Sequence, residues 1–174
     1  MSSLRLCVLF SARILLGGCI VNVIKPPTPL PARDGRPWVF LAGSIDMGQA
    51  TDWQAEIGLS LQGFPGVLLN PRRDVWDSSW QQTIDNPAFR NQVEWELDGL
   101  AGADVIAMHL TDESKAPISL LELGLFAQSG RMVVSCGPRF WRRGNVEVVC
   151  ARFGVPLVDD LEHLIASVIN RLPR

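Results

Sequence analysis

Metal-ligand spacing is missing from this sequence. Its four cysteines (Cys7, Cys19, Cys136, Cys150) form no CxxC pair and do not combine with the two histidines at ligand spacing. No metal site or other cofactor is therefore expected, and the cysteines read as reduced thiols of a cytoplasmic protein. An apolar run of the ~20 residues needed for a membrane span is also missing. A secretory signal would need an unbroken apolar stretch after its basic start, and Arg13 divides this one. A strong charge of one sign is lacking too: 16 Lys and Arg stand against 18 Asp and Glu, a net charge of −2. That balance argues against nucleic-acid binding through a basic field. No acid precedes Asp34, so the basic leader is also compatible with an organellar transit peptide. Residues 1–18 read as an N-terminal extension and residues 19–174 as a single domain, long enough to bury a core without staples.

What is present is an alternation of short apolar runs and amphipathic stretches. "CIVNVI" reads as an N-terminal strand that ends in the four prolines between Pro26 and Pro31. "WVFLAGS", "GVLLN", "ADVIAMHL", "RMVVSC" and "VPLV" read as five further strands without internal polar alternation. Between them, Trp53, Ile57 and Leu61 recur at helical spacing, as do Phe89, Val93, Leu97 and Leu100. A helix follows the loop "TDESKAPI", "NVEVVCARFG" reads as a short helix, and the last helix starts at Asp159. This pattern predicts an α/β protein: a mainly parallel five-stranded sheet with helices on both faces, plus the N-terminal strand.

In such sheets ligands bind beyond the carboxyl ends of the strands. The unusual residues of this chain sit at those ends. Gly43 and Ser44 close the first of the five strands, where a Gly-Ser turn can cradle a sugar or phosphate. Asn70, Arg72 and Arg73 follow the second, with Trp76 close behind; an arginine suits a phosphate or carboxylate and a tryptophan suits a base. Glu122 lies among Leu120, Leu121, Leu123, Leu125 and Phe126 in the helix after the next strand. Ser119-x-x-Glu122 also fits a capping box at the first turn, with each side chain serving the other's amide. Glu96 borders the apolar face of its helix, where the local alternative is a side chain that reaches out to water. Two carboxylates from different strand ends, converging on one crevice, suit acid/base or nucleophilic work at an anomeric carbon.

Five segments, "VFLAGSI", "NPRRDVWD", "DNPAFRNQVEWELDGLAGADVIAMH", "SLLELGLFAQSG" and "FWRRGNVEVVC", together resemble the nucleoside 2-deoxyribosyltransferase-like proteins. The similarity runs from about Pro27 to the C-terminus. It implies a flavodoxin-like, doubly wound fold and a homo-oligomer. It also implies cleavage of the N-glycosidic bond of a nucleoside or nucleotide through a covalent glycosyl-enzyme. The family's nucleophile, a glutamate in an E-[LI]-G motif, falls on Glu122. Its acidic residue against the leaving base, eight positions before Asp104, falls on Glu96. The Asn that a neighbouring subunit contributes is best matched by Asn145. Two features depart from the family pattern: Ala116 stands where characterised transferases hold the sugar 5′-hydroxyl with Asp, and Val39 stands where they place an aromatic residue, in a chain without tyrosine. Ser44, Ser119 or Lys115 would then hold the sugar, or the sugar would be phosphorylated. The readings left open are a transferase, a hydrolase acting on nucleoside 5′-monophosphates with Arg72 or Arg73 on the phosphate, and a non-catalytic nucleotide-binding or sensing module. All three take a small-molecule partner and involve neither nucleic acid nor membrane.

Overall fold

In a computed structural model, residues 21–46, 50–75 and 77–172 are described. Six strands form one sheet: β1 (Asn22–Ile24), β2 (Trp38–Gly43), β3 (Val67–Leu69), β4 (Val105–Leu110), β5 (Met132–Cys136) and β6 (Leu157–Val158). Their spatial order is β1-β3-β2-β4-β5-β6, and every pairing is parallel. Among the described residues four helices connect strands, α1 (Trp53–Ser60), α2 (Pro87–Gly102), α3 (Pro117–Phe126) and α4 (Arg143–Phe153), and a fifth, α5 (Leu161–Arg171), follows β6. The five strands from β2 onward form the expected flavodoxin-like sheet, and β1 adds an edge strand beside β3. "CIVNVI" contributes only its last three residues to that strand; Cys19 and Ile20 lie outside the described residues.

The strands lack polar alternation because both sheet faces are covered. Along β2, Trp38, Phe40 and Ala42 join the core under α2, α3 and α4, whereas Val39 and Leu41 join the core under α1 and α5. All six β2 residues are buried, so this strand is the spine of the molecule. Local chemistry sets where the helices begin. Asn86 caps α2 by accepting from the amides of Ala88 and Phe89, with Pro87 as the first helical residue. Such a cap stabilises a helix by ~1 kcal/mol. Asp52 caps α1 through Ala55 N–H, and Asp160 caps α5 through His163 N–H. The last helix therefore starts one to two residues later than Asp159 suggested, because the carboxylate that can satisfy the free amides is that of Asp160.

The face of α2 also differs from the periodicity in the sequence. Its buried residues are Gln92, Trp95, Gly99 and Leu100, while Leu97 is 40% exposed. Gly99 selects this rotation, since a Cβ there would lie 2.8 Å from the Phe40 ring. Trp95 turns inward and donates its indole N–H to Thr28 O at 2.9 Å, fastening the Pro-rich segment to the helix. The chain winds from β2 outward to β3 and, in the opposite direction, to β4, so the crevice for ligands opens between the carboxyl ends of β2 and β4. The helices α2 and α3 flank one side of that crevice.

Candidate functional site

Helix α3 is amphipathic the wrong way round. Ser119, Glu122 and Leu123 are buried, whereas Ile118, Leu121 and Leu125 are 60%, 59% and 57% exposed. The chain forces this rotation at the helix start. Its N-cap is Ala116, which has left-handed backbone angles (φ 40°, ψ 51°) and is followed by Pro117 at the first helical position. Ser119 is thus the third residue of the helix and Glu122 lies in the second turn. The capping-box alternative fails on that register, because neither side chain reaches an amide that a cap would satisfy. A left-handed non-glycine residue costs roughly 1–2 kcal/mol, a strain characteristic of functional sites.

Glu122 is 8% exposed, and no hydrogen bond reaches its carboxylate from the described residues. Burial raises its pKa to about 8, and the charge of Glu96 raises it in the same direction. Two carboxylates from α3 and α2 therefore act on each other across the cover of β2.

Glu96 sits in a different setting. It accepts a 2.7 Å hydrogen bond from Gln92 Nε2, one helical turn earlier. The same amide nitrogen donates to Pro71 O at 3.1 Å, and Gln92 Oε1 accepts from Arg73 Nε at 2.5 Å. Burial raises the Glu96 pKa, while the Gln92 hydrogen bond and the Arg73 charge oppose that rise. Burial in turn lowers the pKa of Arg73, against the pull of Glu96. The Arg73 guanidinium lies 4.9 Å from the centre of the Trp80 ring, in cation–π geometry. Half-buried Arg73 and Glu96 are thus joined through buried Gln92 into one polar chain beside Glu122.

The remaining predicted residues fall elsewhere around this pair. Gly43 and Ser44 join the ends of β2 and β4. Ser44 N–H donates to His109 O at 2.8 Å, and Ser44 Oγ accepts from Thr111 N–H at 3.1 Å. Asn70 is buried and accepts from Arg72 N–H at 2.9 Å. The Arg72 guanidinium turns away from the carboxylates, donating to Ala50 O at 2.8 Å and lying 3.9 Å from Asp52. Trp76 lies outside the described residues. Asn145 is exposed on α4 and lines a groove of about 300 Å³ with Leu120, Leu123 and Gly124 of α3; Glu122 is not part of that groove. Among the described residues no hydrogen bond links Asn145 to either carboxylate.

Sequence reasoning passed over Gln92. The signal was available: a polar residue four before Glu96 shares its side of a helix. It also passed over Asp46, which has φ 47° and accepts from Ser114 Oγ at 2.9 Å, tying the loop after β2 to the loop after β4. Among the described residues no group of His, Cys, Asp and Glu is arranged to hold a metal ion. No helix among them is long and apolar enough to cross a membrane.

Comparison with known proteins identifies the family. A family described as nucleoside 2-deoxyribosyltransferase like matches residues 36–140, more than half of the chain, and the chain belongs to that family. The matched span contains Glu96 and Glu122 and ends before Asn145. No curated protein matches the chain. A crystal structure of a conserved protein from Enterococcus faecalis V583 superposes with a TM-score of 0.56 at 12% identity, covering 79% of this chain and 99% of that one. At that identity the likeness is one of fold.

Proposed function

We propose that this chain cleaves the N-glycosidic bond of (deoxy)nucleosides, with Glu122 as nucleophile and Glu96 as the acid that serves the leaving base. The observation that carries this reading is the inward carboxylate of Glu122, buried without a hydrogen-bond partner among the described residues and coupled to Glu96. A structural carboxylate in that position would be paired, because an unpaired buried charge is costly. An unpaired one holds its reactivity for a substrate.

The reaction needs Glu122 in its ionised form and a proton on Glu96. The ionised Glu122 oxygen forms a bond to the anomeric carbon, and the glycosidic electron pair leaves with the base. The base nitrogen takes its proton from Glu96, which becomes the carboxylate. An incoming base or water then attacks the glycosyl-enzyme, returns a proton to Glu96 and frees Glu122. No metal or organic cofactor takes part in these steps.

Arg72 is held by the Ala50 and Thr51 carbonyls and lies near Asp52, whereas Arg73 commits only its Nε, to Gln92, so a 5′-phosphate on the substrate would fall to Arg73. Nucleosides and their 5′-monophosphates both fall within this reading. The exposed apolar stripe of Ile118, Leu121 and Leu125 supports a homo-oligomer, since it lies on the helix that carries the nucleophile. Such a partner is also the route by which an exposed Asn145 would reach a site. The test is to incubate purified protein with nucleosides and their 5′-monophosphates, with and without an acceptor base, and to separate products by chromatography. Exchanged nucleoside supports transfer, and free base alone supports hydrolysis. Tight binding of one compound without turnover would replace the catalytic reading with a sensing module.

A further inference from the structure

The Gln92 amide has no freedom in how it faces its neighbours. Arg73 Nε can only donate, so the atom 2.5 Å from it is the amide oxygen. Pro71 O can only accept, so the atom 3.1 Å from it is the amide nitrogen. These two independent constraints agree, and together they point an N–H at Glu96 Oε1, 2.7 Å away. Gln92 is 3% exposed, so solvent does not compete for the amide. It also stands between the guanidinium of Arg73 and the carboxylate of Glu96, whose side chains make no ion pair. A direct Arg–Glu pair would fix Glu96 as a permanent anion.

From this geometry we infer that Gln92 is the positioning residue of the acid: it commits Glu96 Oε1 to accepting and leaves Oε2 as the oxygen that carries the proton to the leaving base. The inference rests on the glycosidic reading above. A protonated carboxyl has one O–H, and its carbonyl oxygen is the stronger acceptor, so an N–H donor on Oε1 favours the proton on Oε2. Donation therefore comes from Oε2. When the proton has left, the Gln92 N–H remains on Oε1 and stabilises the new carboxylate. The side-chain contacts of Gln92 are with Arg73, Pro71 and Glu96, and its effect is exerted through Glu96.

The test compares two substrates that differ in their need for an acid. An ordinary purine nucleoside requires protonation of the base as the bond breaks. A 7-methylpurine nucleoside already carries a positive charge, so its base departs neutral without a proton. For Gln92→Met the ratio of kcat on the ordinary nucleoside to kcat on the methylated one should fall by about 10²-fold, the scale of lost general-acid catalysis. Gln92→Glu keeps the shape and the acceptor for Arg73 but offers no N–H, and should lower the same ratio. It serves as the decisive variant if Gln92→Met does not fold. A parallel loss on both substrates would show a structural role and overturn the inference. Carboxyl 13C NMR of labelled protein gives a second readout that does not require turnover. Loss of a donor to the charged form should move the Glu96 titration to higher pH in Gln92→Met; an unmoved titration overturns the inference. A wild-type protein that cleaves neither substrate overturns the glycosidic reading itself, and the titration then decides whether Gln92 governs Glu96.

Discussion

Glu96 of α2 lies close enough to Glu122 of α3 for its charge to raise the Glu122 pKa, on top of the rise caused by burial. That relationship has a consequence for stability. The Glu122 carboxyl moves from 4.5 to about 8 on folding. Between those values the folded chain keeps a proton that the unfolded chain has lost, so stability falls as pH rises through that window, with a limiting slope of about 1.4 kcal/mol per pH unit. Below about pH 4.5 both states hold the proton and this contribution is fully present. Glu122→Gln should remove most of the slope and make the protein more stable than wild type at pH 8. Denaturant titrations at pH 5.5, 7 and 8.5 measure this, and an unchanged slope in the variant would contradict it.

The same pair predicts the pH dependence of cleavage. The reactive form needs Glu122 ionised, and burial holds its proton up to about pH 8, so the rate should rise with pH as that proton is lost. Glu96→Gln keeps the shape and removes the acid. It should lower kcat by about 10²-fold or more, with a smaller effect on KM, and move the rise to lower pH because the charge that adds to the Glu122 shift is gone. Identical pH profiles for the variant and wild type would remove Glu96 from the mechanism.

Gly43 is a backbone requirement of the crevice. Its φ is +131°, and a Cβ there would lie 2.7 Å from His109 N and closer still to the His109 carbonyl oxygen. Gly43→Ala combines backbone strain with a clash against the paired strand, and should cost about 3 kcal/mol or more. Thermal unfolding of the variant checks this; a melting temperature within a degree or two of wild type would contradict it.

The outward leucines of α3 predict a partner of the same sequence. Leu121→Lys, at a site 59% exposed, should shift the protein toward a monomer and lower its activity without loss of fold. If a neighbouring subunit supplies Asn145, chains carrying Asn145→Ala and Glu122→Ala should each be nearly inactive. Mixed and reassembled as dimers, they should regain about a quarter of wild-type activity: half of the dimers are mixed, and each has one intact site of two. Verified mixed dimers without activity would show that the site is built within one chain.

The sheet was legible because each strand is a short apolar run that must be buried on both faces. Gly43, Asn70 and the helix starts at Asn86 and Asp52 carry their own local signals. The rotation of helices was less legible. On α2, apolar spacing favoured Leu97, but Gly99 and Trp95 decide which side approaches β2. On α3, apolar residues surround the helix, so periodicity gave no direction; the left-handed Ala116 and Pro117 set the register that turns Glu122 inward. The fate of long side chains was legible least of all. Arg72 and Arg73 are neighbours in sequence, yet one clamps the start of α1 and the other enters the carboxylate chain through Gln92. Those choices depend on which carbonyls the fold brings near, and local sequence does not contain them.

The central claim is that Glu122 forms a bond to the sugar, and the most direct measurement is intact-protein mass spectrometry of wild type and Glu122→Ala after reaction with a 2-fluoro-2-deoxynucleoside, whose fluorine slows breakdown of a glycosyl-enzyme. Wild type should gain the mass of one fluorinated glycosyl group, located by peptide mapping on the segment that contains Glu122, and Glu122→Ala should gain none. A wild-type protein that turns over nucleosides but takes up no label, or a label that maps to another residue, would contradict the account.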